Sequence, residues 1–64
     1  MDRYRLEYIM KSKGICINQM CKDIGISRAA YYRKTRGLSE FTQSEIQHIC
    51  DYLEIENPVG IFFT

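Results

Sequence analysis

Apolar residues recur along this chain at the three- and four-residue spacing of helices, and no stretch alternates convincingly with the two-residue period of a strand. Leu6, Ile9 and Met10 form the first stripe, in a helix predicted over residues 2–13 and ended by Gly14. Ile17, Met20, Cys21 and Ile24 form the second, from residue 17 or 18 to residue 23 or 24, with Gly25 as its stop. A third helix begins at Ser27, a residue type that caps helix N-termini, and ends before Gly37. Only Gly25 and Ile26 separate these two helices ahead of the cap. A turn that short forces the second helix to cross the first steeply.

The fourth helix has the clearest start. Thr42-Gln43-Ser44-Glu45 is a capping box, in which the hydroxyl and the carboxylate each satisfy a free backbone N–H. Ile46, Ile49, Cys50 and Leu53 follow as its buried stripe, and Phe41 is placed to staple onto Ile46. A short fifth helix is expected with Asn57 as cap and Pro58 at its first position, carrying Ile61, Phe62 and Phe63. With 64 residues and no repeat or linker, the expectation is one all-α domain over residues 1–64, built from five helices.

At about 100° per residue, the third helix divides into two sides. Ala30, Tyr31 and Lys34 share one; Arg28, Ala29, Tyr32, Arg33 and Arg36 share the other. The second side suits a major groove. Arginine bonds a guanine edge bidentately, alanine or a tyrosine ring touches a thymine methyl, and a small Ala29 lets the helix come close.

Charge changes the picture once it is divided. The net charge is only +1, but all nine Lys and Arg lie in residues 1–37 against Asp2, Glu7 and Asp23, giving that segment +6. Residues 38–64 hold Glu40, Glu45, Asp51, Glu54 and Glu56 without a base, giving −5. Such asymmetry suggests one half that faces a polyanion and another that faces elsewhere.

Other chemistry is thin. Three cysteines, Cys16, Cys21 and Cys50, are an odd number without paired spacing, which argues against a disulfide scaffold and for reduced thiols in the cytoplasm. One histidine, His48, and no C-x-x-C pair argue against zinc or another metal. His48 and Cys50 lie two apart and do not face each other on a helix, and no catalytic set is legible, so an enzyme is not expected. No apolar run is long enough to span a bilayer, and the opening residues lead into a patterned helix and not a signal peptide. No cofactor or small-molecule ligand is expected.

Residues 17–37, INQMCKDIGISRAAYYRKTRG, resemble the helix-turn-helix of the Cro and phage-repressor family, the XRE-like class. The matching features are apolar Met20, small Cys21 where the family usually has alanine, apolar Ile24, Gly25 at the turn, apolar Ile26, the cap Ser27, Tyr31 at an apolar position and Gly37 at the close. Lys34 departs from the pattern, standing where the family usually has an apolar residue; its stem can lie along the core with the amine outside, or Thr35 can take up some packing.

The resemblance extends over roughly residues 3–63. It implies a compact five-helix, λ-repressor-like DNA-binding domain, with the helix-turn-helix at about residues 17–36, dimeric on a double-stranded DNA operator and reading it with the third helix. Carried over, the base-reading residues are Arg28, Ala29, Tyr32 and Arg33, with Arg36 reaching a base or a phosphate. Phosphate contacts are expected at helix starts and flanking loops: Asn18 and Gln19, Ser27, and Ser39, Thr42 and Gln43. Lys11 and Lys13 either add charge there or belong to an ordinary solvated surface.

One such helix reads too few base pairs for useful specificity, and two copies placed about one DNA turn apart remedy this. Ile55, Val59, Ile61, Phe62 and Phe63 either form the surface for the second copy or close the small core. The function that follows is transcriptional regulation, as a Cro-like repressor of phage or prophage origin. The acidic second half keeps one rival open, a protein-interaction module (an antirepressor or inhibitor) that uses the fold without DNA.

Overall fold

The computed structural model describes residues 1–63, and among them there are helices and no strand. In chain order they are α1 (Arg3–Ser12), α2 (Ile17–Ile24), α3 (Arg28–Thr35), α4 (Gln43–Leu53) and α5 (Val59–Phe62). The predicted apolar stripes converge on one core of Leu6, Met10, Met20, Cys21, Tyr31, Ile49, Leu53 and Ile61. α2 packs on α3 and α4, while α1 packs on α5. The N-terminal backbone is tied to α5 by the Asp2 N–H, which donates to the Ile61 carbonyl at 2.7 Å.

Local chemistry sets the helix ends. Asp2 caps α1 by accepting from the Arg5 N–H at 3.1 Å. Gly25 ends α2 with φ +82°, a conformation that glycine adopts freely, and the next N–H, of Ile26, returns to the Cys21 carbonyl. The chain is thereby turned into the α3 cap within two residues. α4 carries both halves of its capping box. Its stop is unusual: Glu54, and not a glycine, takes the left-handed conformation at φ +58°.

Two expectations shift. Asn57 does accept from the Val59 N–H at 3.0 Å, but Pro58 occupies the cap position and α5 starts at Val59. Phe41 shares the rim of one groove with Ile46, yet its main partners are aromatic: it stands edge-on to Tyr31 and to Phe62, with centroids 6.2 and 5.5 Å away. The five residues offered as closing the core or as a dimer surface divide. Ile61 is buried and Phe62 joins that aromatic row, so these two close the monomer. Ile55 is half-buried, and Val59 and Phe63 are exposed.

Candidate nucleic-acid interface

α3 holds its inner side by burial and by one ion pair. Tyr31 is 1% exposed, and its hydroxyl donates to the Met10 sulfur at 3.8 Å. Removal from water pushes this phenol well above its ordinary pKa, so it acts as a core residue. Thr35 is also buried, its hydroxyl donating to the Tyr32 carbonyl. Lys34 keeps its stem inside and donates to both Glu45 oxygens at 2.6 Å, with its ammonium 5.7 Å from the Phe41 ring centre. Thr35 thus takes up packing and the Lys34 stem lies inside, but the amine is not left outside as expected: it is paired with Glu45.

The outer side is left free. Arg28, Ala29, Arg33 and Arg36 are all exposed, and Tyr32 is half-buried between them. Lys34–Glu45 is the one ion pair among the described residues, so the three guanidiniums have no carboxylate partner there. Tyr32 organises two of them. The Arg36 guanidinium lies 5.0 Å from its ring centre and that of Arg28 5.7 Å, the latter also donating to the hydroxyl at 3.4 Å. Residues 28, 32 and 36 are one turn apart each, and form a row along the helix.

The helix starts differ in what their first N–H groups already hold. At α3, the Ser27 hydroxyl accepts from the Ala30 N–H at 3.1 Å. At α4, the Thr42 hydroxyl accepts from the Glu45 N–H, and the Thr42 N–H donates to the Glu45 carboxylate at 2.8 Å. Lys34 first and the Thr42 N–H next hold that carboxyl below its ordinary pKa. An anion thus already sits at the α4 start. At α2, Cys16 occupies the cap position and makes no side-chain cap bond, leaving the first-turn N–H groups uncapped. Asn18 and Gln19 are exposed there, but the Gln19 amide donates to Asp23 at 3.0 Å. Lys11 lines a shallow groove with Cys16 and Ile17, beside that start, while Lys13 is the C-cap of α1. Ser39 is exposed in the α3–α4 connection and Gln43 at the first position of α4.

Some of this was not foreseen in the sequence. Asp23 accepts from the Tyr52 hydroxyl at 2.6 Å, clamping α2 to α4, and this bond first, then the Gln19 amide, lowers the Asp23 pKa. The partners are 29 residues apart, beyond any local pattern. Cys21 and Cys50 are buried and free, and burial raises both thiol pKa values. Among the described residues no helix is long and apolar enough to cross a membrane.

Comparison with curated proteins and with solved structures finds no significant match. A family model described as the Cro/C1-type HTH DNA-binding domain does match, over residues 5–58. That span takes in α1 from its third residue, α2 to α4 and the connection to α5, and leaves Arg3 and Tyr4 outside it. The chain therefore belongs to the Cro/C1-type helix-turn-helix DNA-binding domains, a family of DNA-binding regulators.

Proposed function

We propose that the protein reads double-stranded DNA in the major groove with the outer side of α3, and regulates transcription as a Cro-like repressor by occupying an operator. The observation that carries this is the contrast in charge pairing on α3. Lys34 is neutralised against Glu45, while Arg28, Arg33 and Arg36 stay exposed with no carboxylate partner among the described residues. A helix that pairs its inward cation and leaves three outward guanidiniums free is suited to an external polyanion.

Within this reading the roles follow from position. Arg28 and Arg33 bond guanine edges, Ala29 admits the helix N-terminus and touches a thymine methyl, and Arg36 bonds a base or a phosphate. Tyr32 sits in the same face, as ring contact and as the surface on which Arg28 and Arg36 stack. Uncapped N–H groups at Asn18 and Gln19 favour a phosphate at the start of α2, and Lys11 stands beside them. Ser27 and Ser39 flank the reading helix. The α4 start, with Thr42 and Gln43, is the weaker of these anchors because Glu45 already occupies it.

The globule measures 26 × 24 × 20 Å, shorter than one turn of DNA at about 34 Å. Two copies on one face of the duplex are needed to read successive major grooves, so the protein binds DNA as a two-fold homodimer. Val59, Phe63 and the open part of Ile55 are its candidate contact, since Ile61 and Phe62 are spent on the monomer core. Phage or prophage origin rests on the family resemblance.

Selection of bound sequences from a random duplex pool tests this reading. The expected product is a palindrome whose half-sites are centred about one helical turn apart. Recovery of no preferred sequence, with no salt-dependent binding to any duplex, would instead favour an interaction module without DNA.

A further inference from the structure

We infer that the start of α1 is a second, sequence-independent contact for the phosphodiester backbone, with Arg3 as its cation. The inference rests on the DNA reading above and extends the contact surface beyond the helix-turn-helix. Arg3 and Tyr4 line an open groove together with Thr35 and Arg36 at the far end of α3. Arg36 is therefore shared by this groove and by the outer face of α3, and the two surfaces are continuous.

Both arginines lie against a tyrosine ring, though their hydrogen bonds differ, Arg36 donating to the Tyr32 main-chain carbonyl at 3.5 Å. The Arg3 guanidinium lies 4.9 Å from the Tyr4 ring centre and donates to the Tyr4 hydroxyl at 2.9 Å. A guanidinium stacked and bonded in this way keeps its other N–H groups free and gives up less side-chain freedom when it meets a phosphate. Tyr4 itself is 69% exposed, which leaves the pair standing on the surface. Glu7, one turn further along α1, attracts Arg3 without pairing with it. The one carboxylate of the groove, Asp2, is turned onto the Arg5 N–H as the α1 cap. Arg5 belongs elsewhere, with its guanidinium against Gly60 of α5. Two cations on the rim of an open groove, with the carboxylate engaged, suit a backbone phosphate, a contact that carries no sequence code.

The test is fluorescence anisotropy of the full chain on its selected duplex and on a random duplex, between about 50 and 200 mM salt. Arg3→Gln is expected to weaken both duplexes by the same factor, about three- to tenfold, and to make the salt slope shallower by about one. Arg3→Lys should keep the wild-type slope. Arg5→Gln, removing an equal charge two residues away, should leave affinity and slope nearly unchanged. Wild-type binding combined with an unaltered slope in Arg3→Gln would overturn this inference alone, as would an equal loss in Arg5→Gln. Wild-type protein without salt-dependent binding would overturn the DNA reading and this inference with it. Melting curves matching wild type establish that each variant is folded.

Discussion

Lys34 and Arg33 are neighbours on one helix, and their surroundings could hardly differ more. Lys34 turns inward, only 15% exposed at its side chain, and is bonded to both oxygens of Glu45. Arg33 turns outward, exposed and with no carboxylate partner among the described residues. One residue step rotates a helix by about 100°, enough to separate a side that builds the globule from a side that faces another molecule. Basic residues on a helix are thus not a single population. The inner cation joins α3 to the capped start of α4, and the outer ones remain as net charge for a partner.

Four substitutions would break or sharpen this contrast. The largest effect is expected from Tyr31→Ala on the inner side, which removes a fully buried ring that touches α1 through Met10. Urea or thermal unfolding should show a loss of about 3–5 kcal/mol, a large share of the stability of so small a domain. Arg33→Ala, on the outer side, should leave stability within about 0.5 kcal/mol of wild type and weaken binding to the cognate site by about 1–3 kcal/mol. The loss should relax one base preference; equal weakening on every sequence would make Arg33 a phosphate contact instead.

Glu45→Gln is expected to lower stability by roughly 1 kcal/mol, since it removes the charge that pairs with Lys34 while its amide oxygen can still accept from the Thr42 N–H. The effect has a pH signature. Because the folded-state pKa of Glu45 lies below the ordinary value of 4.5, its contribution is fully present above that value and is lost as pH falls through the lower, folded one. The gap in melting temperature between wild type and Glu45→Gln should therefore be widest near neutrality and should close in acid. Smallest of all should be the effect of Lys34→Met on DNA binding. Its charge is already balanced, so the salt slope should stay within a few tenths of wild type, unlike that of Arg3→Gln.

Much of this contrast was legible in the chain because helix periodicity is a local property. The division of α3 into two sides follows from 100° per residue, and Ser27, Gly25 and the Thr42–Glu45 box mark their own ends by short-range hydrogen bonds. Even the Lys34 departure could be read as a stem that packs inside. Its partner could not, because Glu45 lies 11 residues on, across a loop with no periodic signal. The Asp23–Tyr52 clamp has the same origin. Tyr32 is assigned to base reading by its angle and by the family resemblance, and neither says anything of the two guanidiniums that lie against its ring. Arg3 and Tyr4 escaped notice for a related reason: only the fold brings the start of α1 beside the end of α3. For the apolar C-terminal residues, hydrophobicity could not separate core from surface, and Ile61 went one way while Val59 and Phe63 went the other.

Amide chemical-shift mapping of the labelled protein, titrated with its selected duplex at low salt, tests the role of α3 most directly. The predicted result is a continuous band of large shifts over residues 27–36, with a second group at residues 17–19. A saturated complex in which the amides of residues 27–36 do not move would contradict the assignment of DNA to the outer side of α3.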